Sequence, residues 1–124
     1  MKQSHVLQLA CEPLPIVRIG FIGLGNRGMA TLRRYLVIDG VEIVALCDIH
    51  RAHLDEASAV IAADGKYTPC LLNAQDGWKQ MCQRDDIDLI YICTDWLTHA
   101  PMACYAMEQG KHVAIEVPAA TTVE

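Results

Sequence analysis

The sequence lacks a basic excess. Ten Lys and Arg stand against fifteen Asp and Glu, a net charge of −5, which excludes the electrostatic footprint of a nucleic-acid binder. Acidity of this size reports solubility and names no partner. Long apolar runs are missing too: none approaches the ~18 residues of a membrane span. The patch from Val6 to Ala10 is interrupted by Gln8, and falls short of the roughly 7–15 residues of a secretory core, so no signal peptide is evident and a cytoplasmic protein is expected. Cysteine pairing motifs are absent. Cys11, Cys47, Cys70, Cys82, Cys93 and Cys104 contain no C-x-x-C and no Cys/His cluster at zinc spacing, which argues against a structural metal and leaves reduced thiols as the reading. Cys47 and Cys93 lie in apolar runs and are expected to be buried. After residue 16 there is no repeat, low-complexity tract or linker.

What is present is an alternation. With 124 residues, 52% apolar and 20% charged, the chain has the size and composition of one globular domain. Residues 1–15, with Pro13 and Pro15, read as a leader; residues 16–124 read as the domain. Strands are expected at Val17–Ile22, Val41–Cys47, Ile87–Cys93 and His112–Glu116, with Tyr67–Leu72 as an edge strand or loop because of Pro69. Helices are expected at Arg27–Ile38, Arg51–Ala63 and Gly77–Gln83, and from Pro101 to a stop at Gly110. Thr121 to Glu124 reads as the start of another helix. Strands rich in β-branched residues, separated by helices, predict a Rossmann-like, doubly wound parallel sheet in three layers, α/β/α.

The chemistry begins at Gly20–Gly28, GFIGLGNRG. Gly23, Gly25 and Gly28 form G-x-G-x-x-G after a predicted strand and before a predicted helix. Gly23 permits a tight turn, Gly25 lets backbone approach a pyrophosphate, and Gly28 lets the helix pack close to the sheet. The helix then offers its unpaired amides to phosphate. Alone, the motif also fits a structural strand-to-helix turn or a methyltransferase loop. Asp48 ends the second strand about twenty residues past the last glycine, where a carboxylate accepts bonds from an adenosine ribose. That favours NAD over NADP, although Arg51 nearby leaves a 2′-phosphate open. His50 and His53 have no third ligand close in sequence and read as exposed residues of a first helical turn, not as a metal site.

Two further stretches fall at the strand ends where an open parallel sheet binds ligands. In ICTDWLTHAPM, the loop Asp95–His99 follows Thr94; Trp96 and His99 either flank the cofactor or serve as a packing residue and a helix cap. In EVPAA, Glu116 ends the last strand and Pro118 fixes the turn that leaves it.

Taken together, the glycine loop, Asp48, Thr94 with a histidine five positions on, HAPMACYAMEQGKHV and Glu116-x-Pro118 resemble the nucleotide-binding domain of the Gfo/Idh/MocA oxidoreductases, from about Val17 to the end of the chain. The family usually carries Glu-Lys-Pro at the last site, where the lysine assists proton movement at a sugar hydroxyl. Val117 stands there instead, and with Trp96 and EVPAA it resembles the branch called glycoside hydrolase family 109. The resemblance implies NAD as cofactor, a carbohydrate substrate, and cofactor contacts at Asn26, Arg27, Asp48, Trp96, His99, Glu116 and Val117. It implies a glycosidase in which hydride leaves the sugar C3, the C2 proton is lost with elimination of the glycosidic group, water adds and hydride returns. An ordinary sugar or inositol dehydrogenase and a non-catalytic nucleotide-sensing domain stay open. In the family a substrate domain follows and supplies most catalytic side chains. It is absent from these residues, so the catalytic residues are unknown and no turnover is expected from them alone. A homo-oligomer is expected of the longer protein.

Overall fold

The computed structural model describes residues 10–66 and 68–123. The readings that rest on residues 1–9, on Tyr67 and on Glu124 lie outside the described residues. Among the described residues five strands alternate with four helices. The strands are β1 (Val17–Ile22), β2 (Val41–Cys47), β3 (Cys70–Leu72), β4 (Leu89–Ile92) and β5 (His112–Ile115), and the helices are α1 (Asn26–Tyr35), α2 (Arg51–Asp64), α3 (Gly77–Cys82) and α4 (Trp96–Glu108). All pairings are parallel, in the order β3-β2-β1-β4-β5. The register carries Leu72 beside Cys47, Cys47 beside Ile22, Ile22 beside Ile92 and Ile92 beside Ile115. All five strands therefore end in one row, and every loop that follows them opens on one edge.

The strand period distributes side chains to two cores. Ile19, Phe21, Leu46 and Tyr91 face α1 and α2, where they meet Leu32, Leu54 and Ile61. Ile22, Cys47, Ile90 and Ile92 face α3 and α4, where they meet Met81, Met102 and Ala106. A bulge between Ile19 and Gly20 matches Ile19 to Ile43 but Gly20 to Ala45, so Val44 and Ala45 turn to the same face. This is the three-layer, doubly wound sheet expected from the alternation.

The far end of the sheet is laced by charge. Arg18 bonds Asp88 through Nε at 3.1 Å and through Nη2 at 3.1 Å, and the guanidinium holds the Asp88 carboxyl below its ordinary range. Asp88 also donates its amide to Arg18 O and accepts from the His112 amide, tying β1, β4 and β5 together.

Some boundaries differ from expectation. Helix α1 ends at Tyr35, not Ile38; Val37 and Ile38 are exposed in the turn that returns through Gly40 to β2. The largest correction is α4. It begins at Trp96, so Pro101 lies inside it and Trp96–His99 form its first turn, not a loop. Asp95 accepts from the Leu97 and Thr98 amides, a double cap that starts the helix about one and a half turns ahead of Pro101. No helix starts at 121–123. Cys93, expected to be buried, is only half-buried, whereas Cys47 is buried and its thiol is pushed up to about 12 by burial. Among the described residues no helix is long and apolar enough to cross a membrane.

Candidate cofactor site

The chain turns sharply after β1. Gly23 has φ +93°, and a Cβ there would stand 2.1 Å from Cys93 O. A Cβ on Gly28 would stand 2.2 Å from Gly23 O. These two glycines are demanded by the protein itself. Gly25 is not: its φ of −69° suits any residue, and an added Cβ would meet nothing within 4 Å. Gly25 is also a wall of the cavity described below.

Helix α1 opens at Gly25 with no side-chain cap and no acidic residue in its first turn. Its first intrahelical bond runs from Met29 N to Gly25 O, so the amides of Asn26, Arg27 and Gly28 precede the helical ladder and face outward with the positive end of the helix dipole. Asn26 and Arg27 are exposed.

Across the turn stands Asp48, with its side chain 7% exposed. Oδ2 accepts from the Leu24 amide at 2.8 Å and from His53 Nδ1 at 3.0 Å, and Oδ1 accepts from the His50 amide at 2.8 Å. Asp48 therefore clamps the glycine loop to the start of α2. His53 is half-buried against it, which corrects the reading of an exposed residue; His50 is exposed as expected. Arg51 bonds Asp55 at 3.0 Å, one helical turn along.

Between these groups lies a cavity of about 460 Å³, a volume typical of ligand sites. Its walls come from Ile22–Gly25, from Cys47–His50 with His53, from Gln75 and Trp78, and from Cys93–Asp95 with Thr98, Pro101 and Met102. Of the expected site residues, Gly23, Gly25, Asp48 and Thr94 line it. Asn26, Arg27, Gly28, Trp96, His99, Glu116 and Val117 do not, though all stand at the same sheet edge.

The other expected residues have distinct surroundings. Trp96 is 65% and Val117 81% exposed. His99 is buried, with Nδ1 2.8 Å from Pro118 O and Nε2 3.1 Å from Thr94 O. It staples the loop after β4 to the loop after β5, and the helix cap belongs to Asp95. Because a neutral ring carries one N–H, it donates to one of these carbonyls at a time. Glu116 Oε1 accepts from Tyr91 OH at 2.8 Å, and Tyr91 lies 3.1 Å from Thr31 Oγ1 on α1. The carboxylate only accepts, so Thr31 donates to the phenol. Burial first, then the neighbouring Glu116, pushes the Tyr91 phenol above its ordinary range, against the Thr31 bond that lowers it. Tyr91 thus remains a proton donor to Glu116.

Sequence reasoning missed His53, Gln75, Trp78 and Met102 as walls. His53, three residues past His50 on a predicted helix, was the one with a visible signal. A dinucleotide fits the donor set: outward amides for phosphate, a carboxylate for a sugar, and a glycine that no protein contact explains.

A family model described as "Oxidoreductase family, NAD-binding Rossmann fold" matches residues 17–124. An alpha-N-acetylgalactosaminidase of Bacteroides fragilis is 63% identical over 98% of the chain and 29% of its own length. A glycosyl hydrolase family 109 protein of Porphyromonas gingivalis is 50% identical over 98% of the chain and 26% of its own length. Among solved structures, myo-inositol dehydrogenase from Lactobacillus casei in complex with NAD(H) and myo-inositol matches with TM-score 0.76 and 26% identity, covering 86% of this chain and 30% of that one. The chain thus spans about three tenths of the length of the curated relatives it matches. With its glycine turn, parallel sheet and cofactor edge, it belongs to the Gfo/Idh/MocA oxidoreductase family, as an NAD-binding Rossmann domain.

Proposed function

We propose that this chain is the NAD-holding part of a carbohydrate-acting enzyme, a glycosidase that borrows NAD without consuming it. The observation that carries the cofactor reading is Gly25, at the mouth of an uncapped helix, where an added Cβ would meet no protein atom within 4 Å. The amides of Asn26 and Arg27 would hold the pyrophosphate and Asp48 the adenosine ribose. Thr94, Trp96, His99, Glu116 and Val117 would bound the nicotinamide end, with His99 acting as the staple that sets the loop positions. NAD is preferred to NADP because a 2′-phosphate would meet the Asp48 carboxylate, and Arg51 is already paired with Asp55.

When bound, NAD supplies a reversible hydride acceptor for a sugar C3, which makes the neighbouring C2 proton acidic enough for elimination and water addition without a pair of opposed carboxylates. This chain's residues bind and orient; the groups that move protons are expected in the substrate domain. The names of the relatives support the glycosidase, as does Val117 where a dehydrogenase would keep lysine. The likeness to myo-inositol dehydrogenase supports a second reading, an NAD-dependent sugar or inositol dehydrogenase. A cytoplasmic location is proposed from six free thiols.

Incubating the full-length protein, substrate domain included, with an aryl α-N-acetylgalactosaminide and catalytic NAD separates the two. The expected result is release of the aryl alcohol that stops when NAD is removed, with no NADH accumulating. NADH formed in step with substrate loss, and no aryl alcohol, makes it a dehydrogenase.

A further inference from the structure

We infer that His53 sets the strength of the ribose site, as a displaceable partner of Asp48. The inference rests on the reading that Asp48 receives the adenosine ribose. A carboxylate offers about four acceptor positions. Three are taken: the Leu24 amide and His53 Nδ1 at Oδ2, and the His50 amide at Oδ1. One remains, on Oδ1.

The three donors are not equivalent. The Leu24 and His50 amides belong to the backbone of the two turns, and neither leaves without remaking its turn. His53 reaches Asp48 with a side chain that is 37% exposed and has two free torsions. A ribose 2′,3′-diol carries two O–H donors. The first fits the remaining position on Oδ1, and the second requires the position His53 holds on Oδ2. Full recognition of the diol therefore exchanges the imidazole N–H for a sugar O–H on a carboxylate that is otherwise saturated. His53 weakens NAD binding by the free energy of its own bond, in part returned when water solvates the released ring.

NADP behaves differently. Its 2′-phosphate has no hydroxyl proton to offer, and its one remaining ribose hydroxyl, the 3′, fits the position left on Oδ1, so removal of His53 opens no position that NADP needs. His53 thus tunes NAD affinity without tuning NADP affinity, which separates this role from simple support of the fold.

The experiment measures NAD and NADP dissociation constants by titration calorimetry on the full chain, as wild type, His53→Ala and His53→Gln. His53→Ala is expected to tighten NAD by about three- to tenfold, which corresponds to about one hydrogen bond's net strength, and to leave NADP unchanged. His53→Gln, which restores an N–H donor at similar reach, is expected to return NAD affinity toward wild type. If wild type binds no NAD, the cofactor reading itself falls. If wild type binds NAD and His53→Ala binds it equally or more weakly, the cofactor reading stands and the role of His53 is overturned. A crystal structure of the wild type with NAD decides independently of any variant's folding: the ring off Oδ2 supports the exchange, and the ring still on Oδ2 refutes it.

Discussion

Helices α1 and α4 start at the same sheet edge, and they differ in what satisfies their first amides. Helix α4 is closed by its own sequence: Asp95 takes the amides of Leu97 and Thr98, and Thr98 Oγ1 returns a bond to Asp95 O. Helix α1 has a glycine at the corresponding position, no capping side chain and no acid in its first turn. Both come from the same strand-turn-helix device, and both carry the same dipole. The cap makes α4 a structural support, whereas the first amides of α1 are met by no capping side chain, which is why α1 is proposed as the end that faces phosphate. Within α1's turn the glycines divide again, two required by protein packing and one by nothing in the protein.

That second division is tested first, because it carries the largest effect. Gly28→Ala drives a methyl into Gly23 O, backbone against backbone, where no rotamer change relieves it. The expected loss is about 3 kcal/mol of stability, the upper end for overpacking, read by urea denaturation of the full chain, with NAD binding lost alongside. A Gly28→Ala protein of wild-type stability would mean that the turn and helix are further apart than described.

Gly25 sharpens the comparison by converting α1 into α4. Its extended backbone, φ −69° and ψ −164°, is the conformation an N-cap adopts, so Gly25→Asp should cap the helix and raise stability by about 0.3 kcal/mol. The same carboxylate would confront the pyrophosphate, and NAD affinity is expected to fall by at least about a hundredfold, or roughly 2.7 kcal/mol. Gly25→Ala isolates the steric part: stability within about 0.5 kcal/mol of wild type, and NAD affinity down at least about tenfold. Undiminished binding in Gly25→Asp, by calorimetry, would move the phosphate site elsewhere.

How much of this was legible follows from how local each signal is. The apolar runs Val17–Ile22 and Val41–Cys47 are strands with the bounds expected, because β-branched residues between turn formers leave little choice. The glycine loop and Asp48 were legible as types at a spacing. Their division of labour was not, since it depends on Cys93 O being 2.1 Å from one absent Cβ and on nothing being near another. The partners of His99 lie five and nineteen residues away in opposite directions, and those of Arg18 seventy; no period or motif relates such pairs. The start of α4 was misread for a local reason. Proline at a first turn is a familiar signal, and it drew attention from Asp95 six residues earlier.

Asp95 therefore offers the smallest and most discriminating test. Asp95→Ala frees the Leu97 and Thr98 amides and should cost about 1 kcal/mol, measured as a lower urea midpoint with an unchanged slope. Asp95→Asn keeps an acceptor oxygen and should be nearly neutral, since asparagine caps as well as aspartate. In both variants NAD affinity is expected to move by less than about tenfold, or roughly 1.4 kcal/mol, well short of the Gly25→Asp effect, because Asp95 is only one wall of the cavity and the amides proposed to hold phosphate belong to the other helix. A cap serves stability where its own helix supplies it, and serves binding only where the chain leaves it to a ligand. Strong weakening of NAD by Asp95→Ala, without the loss of stability, would erase the distinction between the two helix ends.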